Sequence, residues 1–136
     1  MRLYNRIYYS LYRMILNLGE AYEMKADIPR TKVALILSLF TGINLTALIG
    51  LLSVAMGKFI IINSVISTIV VGAFIITLNF LLIFYKDRYK EVEDDLSTSW
   101  SNEKNKNILI TVVYVIFTII FLWLSIRCIK DHPINN

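Results

Sequence analysis

Residues 33–85 form a block of 53 that carries one formal charge, Lys58. Helices buried in a water-soluble bundle keep polar residues on at least one face and are interrupted sooner, so this block reads as membrane-embedded. At a rise of 1.5 Å per residue, about 20 apolar residues cross the hydrocarbon layer of a bilayer. The block therefore holds two spans, about 33–55 and 64–85, joined through Met56-Gly57-Lys58 and Asn63-Ser64, where glycine and the Asn-Ser pair signal a turn. Residues 59–62 either lie at the membrane surface or lengthen the second span. A third charge-free stretch, 108–126, is bounded by Lys104 and Lys106 on one side and by Arg127 and Lys130 on the other. The small-residue run Ser53-Val54-Ala55 resembles a signal-peptidase site. The apolar stretch before it is too long for a signal peptide, so the first span reads as an uncleaved anchor.

The expected fold class is thus all-α, a polytopic membrane protein with three transmembrane helices preceded by an amphipathic interfacial helix. Its parts are a basic helix and hinge over 1–32, a three-span domain over 33–126 with a loop over 86–107, and an external tail over 127–136. Composition points the same way: 57% of residues are apolar, 18% are charged, and the mean hydropathy is +0.62. These values argue against a soluble enzyme. One cysteine excludes a disulfide scaffold within the chain, and one histidine argues against a His/Cys metal site. No phosphate-cradling glycine motif, paired acid or metal-ligand spacing appears at membrane depth, so no catalytic residue, metal or cofactor is expected. Cys128 reads as a juxtamembrane thiol that could cross-link two copies on an oxidising face.

The Lys and Arg count fixes an expected orientation. Eleven lie in the N-terminal segment and the 86–107 loop, against three elsewhere: Lys58, Arg127 and Lys130. The positive-inside rule then places the N-terminus and the long loop in the cytoplasm and the C-terminus outside. The net charge of +4 is accordingly an orientation signal and not a nucleic-acid footprint. Abundant Ile, Asn, Lys and Tyr with few alanines fits an AT-rich bacterial genome, hence a bacterial cytoplasmic membrane.

On a helical wheel Arg2, Arg6, Ser10, Arg13, Asn17 and Glu20 fall within about 80° of arc, with Leu3, Ile7, Leu11, Met14, Ile15 and Leu18 on the opposing arc. This predicts a helix lying in the interface, with Arg2, Arg6 and Arg13 toward anionic lipid and the rings of Tyr4, Tyr8 and Tyr12 at headgroup depth. Packing on the protein's own loop needs the same amphipathicity. Ile28-Pro29 should end any continuation, leaving residues 26–32 as a hinge. The periodic Tyr85, Tyr89, Val92 and Leu96 predict that the second span continues about three turns beyond the membrane. Residues 97–102 then read as a polar turn, with Ser101 or Asn102 capping the third helix and Trp100 at the interface.

The spans differ in where their small and polar residues sit. Ala34, Ser38, Gly42, Thr46 and Gly50 recur every fourth residue in the first, and Ser64, Thr68 and Gly72 do so in the second. Such ladders let backbones approach where lipid supplies no hydrophobic drive, predicting a tight hairpin of the first two spans or dimerisation of the first. In the third span Thr111, Tyr114, Thr118, Phe121 and Ser125 form a heptad-like seam. Asn44, at mid-span, needs a hydrogen-bond partner on another helix or a wet path. The spans hold no Asp, Glu, Lys, Arg or His, which argues against ion-coupled transport, proton pumping and voltage sensing.

The reading that follows is a non-enzymatic accessory or assembly protein that packs against a larger membrane subunit or itself in the lipid bilayer, as a homo-oligomer in the latter case. Two alternatives stand beside it. One is an oligomeric membrane-permeabilising effector of toxin or holin type, although three-span holins have the opposite orientation and a basic cytoplasmic tail. The other is an anionic-lipid-binding membrane organiser.

Overall fold

A computed structural model describes residues 2–20, 27–57 and 65–131, and among these every extended element is helical. The helices are α1 (Arg2–Glu20), α2 (Asp27–Met56), α3 (Val65–Phe84) and α4 (Arg88–Asp131), with a short 3-10 turn (Tyr85–Asp87) between the last two. Two segments are long and apolar enough to cross a membrane, Ile28–Met56 and Ile69–Asp131. The expected connection at 58–64 and the tail from residue 132 lie outside the described residues, as do the side chains of Glu20 and Thr68.

Three local expectations are corrected. The supposed hinge at 26–32 is helical from Asp27 onward, because Pro29 sits in the first turn of α2, where a missing N–H costs no hydrogen bond. The polar turn at 97–102 is the middle of α4, so no cap stands at Ser101 or Asn102. Ser97, Thr98 and Ser99 turn their hydroxyls back onto the carbonyls of Asp94, Asp95 and Leu96, at 2.9, 2.9 and 3.4 Å. With those donors satisfied and neither glycine nor proline over 88–131, nothing stops the helix.

The break falls earlier, and so the three-turn extension belongs to α4 and not to α3. Lys86 (φ 52°, ψ 37°) and Asp87 (φ 57°) both take left-handed backbone that favours glycine. α2 stops conventionally by comparison. Gly57 enters the left-handed region at φ 62° and its N–H donates to the Val54 carbonyl at 3.1 Å.

The core gathers at the charged end of the bundle. Ile7, Tyr8, Tyr9 and Tyr12 of α1 pack with Val33, Ala34 and Leu37 of α2, Ile83 of α3, and Val92 and Leu96 of α4. Residues 7–10 of α1 make one full turn, and all four are buried, Ser10 completely. α1 is therefore enclosed by the other helices along its middle, while Leu3, Met14 and Leu18 near its ends stay exposed. Farther along the bundle the usual order of polarity inverts. Ser38, Ser53, Asn79, Asn107, Thr111, Thr118 and Ser125 are buried, whereas Leu39, Ile69, Phe74, Phe117 and Ile119 are more than half exposed. Water would not stabilise that surface; lipid does.

A proline at residue 99 separates the two accounts of residues 97–102. In a turn Ser99→Pro would be tolerated, but inside α4 it removes a hydrogen bond and clashes with the preceding turn, at a cost of about 3 kcal/mol or more. Circular dichroism across a detergent-denaturation series is expected to show a clear loss of stability.

Candidate functional site

Three arrangements bring the functional candidates together: an ion-paired hub at the charged end, a polar seam between α2 and α4, and a crevice between α2 and α3. At the hub, Arg30 in the first turns of α2 meets Glu93 of α4 by two parallel hydrogen bonds. Nε donates to Oε1 at 3.0 Å and Nη2 to Oε2 at 2.8 Å. Both side chains are 15% exposed. The Tyr8 hydroxyl donates to the same Oε1 at 2.9 Å. The guanidinium also lies 4.3 Å from the ring centroid of Tyr89 and 5.7 Å from that of Tyr12, so charge and ring faces attract at once.

Around the hub α1 is tied on every side. Tyr4 donates to Asn79 Oδ1 on α3 at 3.1 Å, Arg88 Nη2 donates to Asn5 Oδ1 at 3.2 Å, and Arg6 pairs with Glu103 at 3.0 Å. Tyr9 meets Trp100 edge-on, with centroids 5.2 Å apart. Burial pushes the Tyr4 phenol up to about 12. It also raises Tyr8 well above the ordinary phenol range, with the Glu93 carboxylate adding and Arg30 opposing. Both phenols therefore remain protonated donors. The rings expected at headgroup depth thus have other positions: Tyr8 and Tyr12 are core residues and Tyr4 is half-buried. Of the arginines expected to face lipid, Arg2 is exposed, Arg6 is ion-paired and Arg13 is half-buried.

The seam joins α2 to α4. Asn44 Nδ2 donates to the Tyr114 hydroxyl at 3.3 Å and to Thr118 Oγ1 at 3.2 Å. Ser125 donates to the Ala47 carbonyl at 2.9 Å. Thr111, Thr118 and Ser125 are buried along the stripe, and Phe40 packs edge-on to Tyr114. The closest approach is at Gly50, where a Cβ would stand 2.5 Å from Ser125 Oγ and 2.9 Å from Ile129 Cδ1. The tight contact of α2 is thus with α4, although the glycine ladder alone pointed to a hairpin with the second span. Other hydroxyls in the apolar segments bond the carbonyl one turn back, as Ser38 does to Ala34 and Thr46 to Gly42.

The rest of the ladder divides. Ala34 and Ser38 are buried, but Gly42 and Thr46 line an open apolar crevice with Leu39, Ile43, Gly72, Ile75 and Leu122. Its volume is about 500 Å³, and a Cβ on Gly42 or Gly72 would meet nothing within 4 Å. Ser64 and the Thr68 side chain lie outside the described residues. Cys128 is half-buried and unbridged. Among the described residues no three His, Cys, Asp or Glu side chains gather as a metal site requires.

Sequence reasoning missed Tyr9, Arg30, Asn79, Glu93 and Asn107. Glu93 sits in a run of acids and Arg30 beside Lys32, so neither stands out by spacing. Asn79 accepts from Tyr4 and donates to the Ile75 carbonyl, whereas Asn107 follows a polar run that hides it and is buried with neither side-chain atom hydrogen-bonded among the described residues.

Two stability predictions follow from this geometry. Gly50→Ala should weaken the bundle because the new methyl displaces the Ser125 hydroxyl. Adding Ser125→Ala should recover part of the loss, whereas Gly42→Ala and Gly72→Ala should cost nothing. Thermal or detergent unfolding read by circular dichroism checks the contrast. At the hub, Arg30→Met should cost about 3 kcal/mol by leaving Glu93 buried and unpaired. Combined with Glu93→Gln, which still accepts from Tyr8, the loss should fall short of the sum of the single changes by more than about 1 kcal/mol in a double-mutant cycle. No family model, curated protein or solved structure matches the chain.

Proposed function

We propose that the chain is a small integral membrane protein with three spans that acts as an accessory or assembly subunit through helix packing against a membrane partner. Three spans follow from lengths. Residues 69–131 are 63 in number and as one helix would run about three times the hydrocarbon thickness. The break at Lys86-Asp87 divides them into α3 and the apolar 108–126 part of α4. The distribution of Lys and Arg supports a cytoplasmic hub and an external C-terminus in a bacterial inner membrane.

The observation that carries the packing function is the crevice. Gly42 and Gly72 line it from two helices, and a Cβ on either would meet nothing within 4 Å, although residues of this kind are what membrane helices use to approach one another. A span of the partner, seated there, would complete a contact that this chain leaves unfilled. The same geometry weighs against a pore built on Asn44, whose Nδ2 is committed to Tyr114 and Thr118 inside the chain.

Purification in mild detergent followed by mass analysis tests the reading. The expected result is a stoichiometric larger subunit, lost on Gly42→Leu or Gly72→Leu while circular dichroism stays unchanged. Isolation as a bare monomer in every mild detergent, with a collapse of membrane potential on expression, would overturn it in favour of the permeabilising reading.

A further inference from the structure

A polar cleft of about 400 Å³ opens between the first two turns of α1 and residues 95–103 of α4, and its two walls are opposite in chemistry. The α1 wall donates. Arg2 and Arg6 bring guanidinium groups, and Asn5, whose Oδ1 already accepts from Arg88 at 3.2 Å, keeps its Nδ2 as a donor. The α4 wall accepts. Asp95 and Glu103 bring carboxylates, and the Thr98 and Ser99 hydroxyls have spent their hydrogens on the Asp95 and Leu96 carbonyls, which leaves their oxygens as acceptors.

Arg6 and Glu103 satisfy each other across the cleft at 3.0 Å. Arg2 and Asp95 do not. Both are exposed, and neither side chain has an ion pair or hydrogen bond among the described residues. A donor wall and an acceptor wall held apart in this way suit a small molecule that carries an anion at one end and a cation at the other. The guanidinium fork of Arg2 matches two oxygens of a phosphate, with the Asn5 amide as a further donor. The acceptors of α4 suit a primary ammonium, which has N–H bonds to give. A quaternary ammonium has none and is held by aromatic rings, and no ring stands among the described residues that line the cleft. The one apolar side chain there, Leu96, belongs to the core, so the cleft takes a polar head and not a hydrocarbon chain.

We propose that the cleft binds a phosphoethanolamine zwitterion, with its phosphate on Arg2 and Asn5 and its ammonium on Asp95. The head of phosphatidylethanolamine and free phosphoethanolamine present the same chemistry. The site lies on α1 and α4, apart from the crevice at Gly42 and Gly72, and needs no protein partner.

Native mass spectrometry of the full-length chain in neutral detergent tests it in two series. One titrates phosphatidylethanolamine against phosphatidylcholine, and the other titrates free phosphoethanolamine against phosphocholine. The ethanolamine form is expected to be held about fivefold more tightly than the choline form in at least one series. Preference in the lipid series alone assigns the ligand to the bilayer; preference among the free heads assigns it to the head group itself. The two walls are separable by substitution. Asp95→Asn should abolish the preference by weakening the ethanolamine form alone, whereas Asp95→Glu should keep it. Arg2→Gln should weaken both forms alike, since both carry the phosphate, and Lys104→Gln should change neither. Equal binding of the ethanolamine and choline forms in both series would overturn the site. So would a preference that survives Asp95→Asn, or competition by inorganic phosphate as strong as by phosphoethanolamine, which means a simple anion site.

Discussion

The Arg30–Glu93 contact is the point on which three of the four helices depend. It joins the first turns of α2 to α4, and through the Tyr8 hydroxyl it reaches the middle of α1. An ion pair at this depth is not stabilising by default, because both charges give up water to make it. Its geometry offsets that loss: two parallel hydrogen bonds, a third donor on the carboxylate, and ring faces on either side of the guanidinium. What it provides is specificity. α1 lying free on a membrane surface would take the Tyr8 hydroxyl from Glu93, and residues 88–96 continuing α3 would carry Glu93 away from Arg30.

A second constraint acts below the hub, where the absence of water favours polar groups that find a partner within the protein. Hydroxyls on α2 and α4 meet it locally by bonding one turn back, which costs no interhelical register. Asn44 does not, and its reach to Tyr114 and Thr118 fixes how α2 slides along α4. Gly50 fixes the distance, and Ser125, bonded to the Ala47 carbonyl beside it, links the two conditions. Among its described side chains α3 has no such bond along its outer part. It is pinned near its end by Asn79 and Ile83 and leaves the crevice beside α2 open.

These constraints explain which features were legible in the chain. The apolar blocks, the amphipathic α1 and the polar stripe of Thr111, Thr118 and Ser125 are periodic, and periodicity survives in one dimension. The enclosure of α1 does not, because interfacial anchoring and internal packing demand the same pattern; only the partners of Tyr8 and Tyr9 distinguish them. Residues 97–102 misled because Ser and Thr signal turns when their hydroxyls cap, yet here those hydroxyls fold back inside a helix. The break at Lys86-Asp87 was silent for the opposite reason: its left-handed backbone is occupied by residues that do not announce it.

That silent break has a mechanical consequence. Two consecutive non-glycine residues held left-handed cost about 1–2 kcal/mol each, so the turn persists only while contacts on both sides over-determine it. On the α4 side those contacts are the hub and the Arg88–Asn5 bond; on the α3 side they are Tyr4–Asn79 and the packing of Ile83. Two of them, Arg88–Asn5 and Tyr4–Asn79, run through α1, and the Arg30–Glu93 pair joins α2 to α4. α3 itself packs chiefly on α2, and α1 reaches it by side chains alone. A subunit that recognises its partner in the crevice at Gly42 and Gly72 would therefore present there a helix that is anchored from the other end of the fold.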